Sequence, residues 1–241
     1  MSSKYIYKRV LLKISGEALK GTLEHGYDSA AVSAITERIG RAAKSGVEIA
    51  LVVGAGNIWR GVNGKSWGLD RVSADYMGML GTVMNGLCLR EAFKSAGIDA
   101  VLQTSIPMNP IAEAFDHISA IKHLEKGRIV IFAGGTGSPF FTTDTTASLR
   151  ALETSCEAVL KATKVDGVYT DDPFKNPEAK RFETITFTEA LSRKLKVMDS
   201  TAFSMCSDNN LPIIVFNFSD PASLEKVLAG DTSIATVVKN S

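Results

Sequence analysis

The sequence predicts an α/β protein in which helices cover both faces of a mainly parallel sheet. Short apolar runs alternate with helical patterns along nearly the whole chain. The runs are continuous and do not alternate with polar residues, which is typical of strands buried on both faces. Glycines cluster where three of these runs end, at residues 16, 54–56 and 134–137. Since no linker or repeat interrupts this order, we expect one continuous domain over residues 1–241, with two lobes.

In the first half of the chain, two strands and two helices are predicted. Residues 9–14 are an apolar run that ends in a Ser-Gly turn, and residues 48–53 are a second such run. Between them, Asp28 is placed to cap a helix that Gly46 ends. Residues 70–96 predict a long helix that is apolar on more than one side. Such a helix is a central core helix, a subunit interface, or both.

The second half of the chain continues the alternation. Strands are predicted at residues 98–104, 128–133, 158–160, 212–217 and 233–238. Helices are predicted at residues 117–125, 147–154, 201–207 and 224–228. The prolines at 173 and 177 bound a loop. A strand therefore follows almost every helix, which is the order that parallel pairing requires.

The composition excludes several classes of protein. Hydrophobic residues make up 45% of the 241 residues and the net charge is +1, so neither disorder nor binding to duplex nucleic acid or an anionic membrane is indicated. Three widely spaced cysteines and three scattered histidines predict no disulfide framework and no metal site built from protein ligands. The amino-terminal residues lack the apolar core of a signal peptide, and no apolar run reaches about 18 residues. We expect a soluble protein in the cytoplasm.

The glycine clusters indicate a phosphate-binding site. Glycine at the carboxyl end of a strand allows backbone N–H groups to approach phosphate oxygens closely. One such loop is usually an ordinary turn, but three in one chain favour a polyphosphate ligand. Two common fingerprints are excluded, because both a dinucleotide pattern from Gly54 and a Walker loop ending at residues 64–66 require glycine where Trp59 stands. A nucleotide would therefore be bound by another scheme.

Two lysines stand at strand ends. Lys13 lies in the first apolar run, two residues before the Ser-Gly turn, and Lys161 directly follows the run at residues 158–160. Burying an ammonium group without an anion is costly, so Lys13 either reaches solvent at the sheet edge or faces a phosphate. Fixed cations of this kind suit phosphoryl transfer, in which negative charge spreads over the phosphate oxygens.

Two further segments are suited to a nucleoside. Residues 136–144 combine hydroxyls, the aromatic pair Phe140-Phe141 and Asp144 at a helix start. Helix capping explains the threonines of this segment, but it does not explain two phenylalanines in a polar loop, which could wall or stack on a base. Residues 165–173 predict a turn that lacks EF-hand spacing and places Tyr169 beside a base.

Six segments together resemble the bacterial uridylate (UMP) kinase family of the amino acid kinase superfamily. They are residues 12–19, 54–61, 74–79, 136–144, 161–169 and 196–199. The first and fifth segments indicate only the superfamily, whereas residues 74–79 and 136–144 single out UMP kinases. One residue departs from the family pattern, since Ala55 stands where the family usually has glycine. The resemblance spans nearly the whole chain.

The resemblance implies a three-layer αβα sandwich, with an amino-terminal lobe for the phosphate acceptor and a carboxy-terminal lobe for ATP. The implied reaction is reversible transfer of the ATP γ-phosphate to UMP, giving ADP and UDP in pyrimidine nucleotide biosynthesis. Mg²⁺ held mainly by the ATP phosphates, a homohexamer, inhibition by UTP and activation by GTP are implied as well. Since the second pKa of a phosphate monoester is about 6, the acceptor is already anionic at neutral pH and needs no histidine base.

The resemblance also implies roles for individual residues. Lys13 and Lys161 would stabilise the transferring phosphoryl group, and Asp144 and Asp199 would orient the lysines. The ATP site would comprise Lys13, Ile14, Ser15, Gly16, Gly56, Arg60, Thr163, Tyr169 and Asp172. The UMP site would comprise Ala55, Asp75, Thr136, Gly137, Ser138, Pro139, Phe140, Phe141, Thr142 and Thr143. A GTP effect would involve Gly21, Thr22, Leu23, Glu24, His25 and Gly26.

Two other functions stay open on the sequence. A kinase of the same superfamily could act on acetylglutamate, glutamate or carbamate, but such a substrate needs neither Phe140-Phe141 as a base wall nor Asp75 as a ribose partner. A non-catalytic uridine-nucleotide sensor could keep the fold, but it has no need of two lysines and Asp144 as transition-state groups.

Overall fold

The computed structural model describes residues 5–59 and 67–241, and nine strands of these residues form one sheet. The strands are β1 (Arg9–Ile14), β2 (Glu48–Val53), β3 (Ala100–Thr104), β4 (Glu113–Ala114), β5 (Ile129–Ala133), β6 (Ala158–Thr163), β7 (Thr184–Thr186), β8 (Ile213–Asn217) and β9 (Ala235–Lys239). Their spatial order is β4-β3-β5-β2-β1-β6-β8-β9-β7. Strands β8 and β9 pair antiparallel and the other neighbours pair parallel, so the predicted mainly parallel sheet is confirmed.

Helices pack on both faces of the sheet. They are α1 (Ser29–Lys44), α2 (Arg71–Ser95), α3 (His117–Glu125), α4 (Thr143–Glu153), α5 (Phe187–Ser192), α6 (Ser200–Asp208) and α7 (Ser223–Leu228). One apolar core joins the sheet to α1, α2 and α7, and a second core joins it to α3, α4, α5 and α6. The three-layer α/β architecture expected from the sequence is therefore confirmed.

Several elements differ from the prediction at their ends. Helix α4 begins at Thr143 and not at residue 147, because the Thr142 hydroxyl accepts hydrogen bonds from two backbone N–H groups of the first turn. Strand β6 extends to Thr163, so Lys161 lies inside the strand and not after it. Strand β9 begins at Ala235, two residues late, because a 3₁₀ turn precedes it.

Besides the 3₁₀ turn before β9, four short elements of the described residues were not predicted from the sequence. They are strands β4 and β7, helix α5 and a 3₁₀ helix at Gly16–Lys20. Each spans two to six residues, which is too short for a hydrophobic period to be recognised. The 3₁₀ helix matters for the site, because Ser15 caps it and so fixes the turn directly after β1.

Helix α2 is part of the core on one side only. Val83, Leu89 and Phe93 are buried in the apolar core beside the sheet, as a central core helix requires. Four apolar residues at four-residue spacing form an exposed row: Val72 (39% exposed), Tyr76 (41%), Leu80 (44%) and Met84 (52%). We call this row the α2 stripe; in the structure of the single chain it is exposed, so the core-helix expectation applies to the opposite side of α2. None of the helices in the described ranges combines the length and apolarity that crossing a bilayer requires.

Candidate active site

Two lysines and one aspartate form the centre of the candidate site. Lys13 in β1 and Lys161 in β6 are register partners on adjacent parallel strands, so their side chains leave the same face of the sheet. Asp144, in the first turn of α4, lies between them. Asp144 Oδ1 is 2.9 Å from Lys13 Nζ, and Asp144 Oδ2 is 2.8 Å from Lys161 Nζ. The structure thus brings together three residues that the sequence singles out from distant segments, and we call them the lysine cluster.

The charges of the lysine cluster are mutually dependent. Burial alone would raise the pKa of Asp144, but attraction to Lys13 and Lys161 lowers it below its ordinary value. Burial lowers the pKa of Lys161, and the charge of Asp144 opposes that effect. Two ammonium groups share one carboxylate, so the cluster lacks a second anion. A phosphate group has the charge to supply it.

Asp199 is placed differently from the expectation that it orients the lysines. It caps α6 and accepts hydrogen bonds from the hydroxyls of Thr142 and Thr145. Lys161 donates instead to the backbone carbonyl of Val197, two residues earlier. The segment at 196–199 therefore does hold Lys161, but through a main-chain oxygen that no residue type in the sequence signals. The charge of Asp199 raises the pKa of Lys161 without replacing that contact.

The glycine loops meet beside the lysine cluster. Strands β5, β2 and β1 are neighbours, so the loops that follow them lie together at the carboxyl edge of the sheet. A Cβ atom on Gly16 would lie 2.2 Å from the Gly54 carbonyl oxygen, so only glycine fits where the first two loops touch. Of the other residues predicted for ATP, Gly56 lies against Glu17, whereas Arg60 is outside the described residues.

A cavity of about 180 Å³ opens between α2 and the loops that follow β2 and β5. Six of the residues predicted for UMP line it: Ala55, Asp75, Thr136, Phe141, Thr142 and Thr143. Seven lining residues were not predicted: Trp59, Ala74, Gly78, Met79, Thr82, Gly135 and Thr146. Four of the seven belong to α2, where a residue that faces a ligand has the same apolar pattern as a residue that faces the core. We call this cavity the acceptor cavity.

Asp75 ties α2 to the loop at residues 136–142. Its carboxylate accepts a hydrogen bond from the Phe140 N–H at 2.8 Å and pairs with Arg71 Nε at 2.9 Å. Phe140 has a φ of +71°, a left-handed conformation that is unusual for phenylalanine. Phe141 lines the acceptor cavity and Phe140 does not, so of the two rings only Phe141 is placed where a base in this cavity could contact it. Gly137, Ser138 and Pro139 lie in the same turn, outside the cavity wall.

Two larger cavities flank the end of β6. One, of about 710 Å³, is lined by Thr163, Tyr169 and Asp172, which are predicted to hold adenosine. Its rim is basic and carries Lys175, Arg193, Lys194 and Lys196. The other, of about 590 Å³, is lined by Lys13, Ile14 and Ser15 at the end of β1. Lys161 and Thr163 border both cavities, so the residues predicted for ATP converge on the end of β6.

The loop predicted to carry a GTP effect, residues 21–26, is tied to the second glycine loop. The Gly26 N–H donates to the Asn57 carbonyl at 2.9 Å, and the Asn57 side chain donates to the Gly26 carbonyl at 3.0 Å. Residues 21–25 are exposed, and Gly21 borders the 590 Å³ cavity. The loop is therefore next to the candidate site and bonded to it.

Ala55, the residue that departs from the family pattern, packs against a glycine of α2. A Cβ atom on Gly81 would lie 2.9 Å from the Ala55 Cβ. We expect Gly81→Ala to reduce the free energy of unfolding by about 1–3 kcal/mol, because overpacking outweighs the better helix propensity of alanine. Urea denaturation measures this change. Adding Ala55→Gly to Gly81→Ala should recover the loss, and a Gly81→Ala variant as stable as the wild type would contradict the contact.

Comparisons with known proteins agree with this geometry. Residues 8–217 match the model of the amino acid kinase family. A solved UMP kinase from Bacillus anthracis is 39% identical with a TM-score of 0.94, and the match covers 98% of this chain and 97% of that one. A solved UMP kinase from Ureaplasma parvum is 37% identical with a TM-score of 0.92, covering 97% and 99%. The family resemblance and the fold expected from the sequence are confirmed.

Proposed function

The chain belongs to the amino acid kinase family, and we propose that it is a UMP kinase, which transfers the γ-phosphate of ATP to UMP and yields ADP and UDP. The observation that carries this proposal is the position of the lysine cluster. Thr143, next to Asp144, lines the acceptor cavity, and Lys161 borders both larger cavities. Two half-buried cations therefore stand where a donor phosphate and an acceptor phosphate would meet.

The main task of the lysine cluster is to offset repulsion between two anionic phosphates. Before substrates bind, Asp144 holds both ammonium groups in place. When the phosphoryl group moves, Lys13 and Lys161 are already positioned beside its oxygens and do not need to reorganise. No side chain has to remove a proton, because the acceptor phosphate is ionised at neutral pH.

We propose that Mg²⁺ enters the site with ATP. Within residues 5–59 and 67–241, no group of three or more histidine, cysteine, aspartate or glutamate side chains is placed to hold a metal ion. Both oxygens of Asp144 face ammonium groups. These side chains fit a Mg²⁺ ion that takes most of its ligands from ATP phosphates and water, as is common for that ion. When bound, Mg²⁺ neutralises charge on the β- and γ-phosphates.

The two substrates are assigned to different cavities. UMP is placed in the acceptor cavity, with Phe141 beside the base and Asp75 beside the ribose. ATP is placed with its phosphates at Ser15 and its adenosine at Tyr169. The reaction would belong to pyrimidine nucleotide biosynthesis in the cytoplasm, with UTP as an inhibitor and GTP as an activator.

A coupled assay of ADP release with UMP, CMP, acetylglutamate and carbamate tests the proposal. The highest kcat/KM is expected with UMP. A preference for acetylglutamate or carbamate would identify a different kinase of the family, and binding of UMP without ADP release would identify a sensor. Either result would overturn the proposed activity.

We propose further that the α2 stripe lies between subunits of a homo-oligomer, which the resemblance implies to be a hexamer. Met84→Asp is expected to lower the mass of the oligomer, because the new carboxylate would lose its water in the interface. Light scattering measures the mass. Ile118→Asp is the matched control, since Ile118 is also 52% exposed but lies on α3. A monomeric wild type would show that the stripe is not an interface between copies.

As the pH rises, kcat/KM should fall, and the midpoint of this alkaline limb should lie below the ordinary lysine pKa of 10.5. Because burial lowers the pKa of Lys161, its ammonium charge is lost at a lower pH, and kcat/KM reports ionisations of the free enzyme. Since Asp144 raises that pKa, Asp144→Asn should move the limb to still lower pH. Ionisation of the substrate is common to both enzymes and cancels in the comparison. If Asp144→Asn leaves the midpoint of the alkaline limb unchanged, the limb reports the ionisation of a group other than Lys161.

A further inference from the structure

Two asparagines behind the glycine loops form a fully buried pair. Asn57 follows the second glycine loop, Asn85 lies in the middle of α2, and both are 0% exposed. Asn85 Nδ2 donates to the Gly54 carbonyl at 2.7 Å and to Asn57 Oδ1 at 2.8 Å. Asn57 Nδ2 donates to Asn85 Oδ1 and to the Gly26 carbonyl, both at 3.0 Å. Each of the two amide nitrogens therefore has two acceptors.

The pair is an unexpected choice for a helix that packs on the core. Burying an amide is costly unless it is hydrogen-bonded, and apolar side chains would join α2 to the loop without that cost. Unlike apolar contacts, the hydrogen bonds of the amides are directional, so each bond holds a particular main-chain or side-chain oxygen in a fixed position. Through these bonds, α2 holds the loop after β2 at Gly54 and Asn57, and Asn57 holds the loop at residues 21–26.

Asn85 donates hydrogen bonds to the Gly54 carbonyl oxygen and to Asn57 Oδ1, and the glycine loop after β1 packs against these same two atoms. A Cβ atom on Gly16 would lie 2.2 Å from the Gly54 oxygen and 2.6 Å from Asn57 Oδ1, so Gly16 packs directly against both. Gly16 directly follows Ser15, which lines the 590 Å³ cavity, and Gly54 directly precedes Ala55, which lines the acceptor cavity. Asn85 therefore bonds to the atoms at which the loop after β1 touches the loop after β2, and this contact sets the spacing between the two loops.

We propose that Asn85 is a positioning residue for phosphoryl transfer, which acts through Gly54 and Asn57 to set the distance between the two phosphate loops. The inference rests on the proposed function, because it takes the loop after β1 to face ATP and the loop after β2 to face UMP. Asn85 itself touches neither substrate in this assignment. Its removal should leave each nucleotide site intact and misplace the two sites relative to each other.

The test compares single nucleotides with a bisubstrate probe in which adenosine and uridine are joined through five phosphates. For Asn85→Ala, the affinities for ADP and for UMP should each stay within about threefold of wild type. The affinity for the probe should fall at least about tenfold, and kcat should fall about 10²-fold, since a misplacement of about 1 Å costs that much. Leu89→Ala, a buried apolar truncation one turn away on α2, is the control for lost stability. It should lower the Tm without changing the ratio of probe affinity to UMP affinity.

The possible failures are distinguishable. A wild type that binds neither UMP nor the probe refutes the proposed function. A wild type that binds both, with an Asn85→Ala variant that binds the probe equally well or keeps a near-normal kcat, refutes only the positioning role. If Asn85→Ala does not fold, the same measurements are made on Asn85→Ser, whose hydroxyl has one donor where the amide has two. An equal loss of affinity for ADP, UMP and the probe would indicate a merely structural residue and would also overturn the proposal.

Discussion

We expect Lys161→Ala to lower kcat for phosphoryl transfer by about 10²–10³-fold, which is the usual effect of removing one preorganised group that stabilises transition-state charge. The KM for ATP should change much less, because the charge of Lys161 is needed most when the phosphoryl group is in transit. Lys161 is suited to this role because Asp144 and the Val197 carbonyl hold its ammonium group before any substrate is bound. Steady-state kinetics with both substrates varied gives the two constants.

A surface lysine provides the control for this experiment. Lys122 is exposed on α3, and Lys122→Ala should leave kcat unchanged. Asp144 keeps Lys13 as a partner in the Lys161→Ala variant, so a cooperative thermal unfolding transition should persist. A near-normal kcat for Lys161→Ala would remove Lys161 from the reaction.

The parts of the fold and site that follow from the sequence are those that depend on side-chain type and period. Continuous apolar runs identify the buried strands, and Asp28 caps a helix where the sequence predicts it. Lys13 and Lys161 can be singled out because charges are costly in or next to apolar strands, and the family resemblance adds Asp144 as their partner. Lys13 and Lys161 are close because β1 and β6 are neighbours in the sheet, although more than half of the chain lies between the two strands.

The parts that do not follow from the sequence depend on the backbone or on packing between distant segments. The Val197 carbonyl that accepts from Lys161 has no signal in residue type. Inward-facing residues of α2, such as Met79, have the pattern of core residues although they line the acceptor cavity. The α2 stripe has the same apolar pattern, although it is exposed among residues 5–59 and 67–241. The spacing of apolar residues along a helix identifies its apolar face, but it does not show whether the core, a ligand or another subunit packs against that face.

We expect the enzyme to prefer UMP over dUMP by roughly 10²-fold in kcat/KM, through Asp75. Sites built around a substrate hydroxyl reject the analogue that lacks it by as much as about 10⁴-fold, and an 18% exposed side chain gives water partial access to the carboxylate. Asp75 is held by Arg71 and by the Phe140 N–H, so its oxygens have a fixed direction before the ribose arrives. Asp75→Asn should lower kcat/KM for UMP and narrow the UMP/dUMP ratio.

The UMP/dUMP ratio of Asp75→Asn separates the two possible roles of Asp75, and Arg71→Met is its matched control. This variant removes the guanidinium that pairs with Asp75 and lies over the Phe140 ring, but it keeps the carboxylate. If Asp75 contacts the ribose, Arg71→Met should change kcat/KM for UMP and dUMP by the same factor, so that the ratio stays as in the wild type. If Asp75 acts only by holding the Phe140 loop, Asp75→Asn and Arg71→Met should both leave the ratio unchanged. Equal kcat/KM for UMP and dUMP in the wild type would exclude Asp75 from the ribose site, and its role would then be to join Arg71 to the Phe140 N–H.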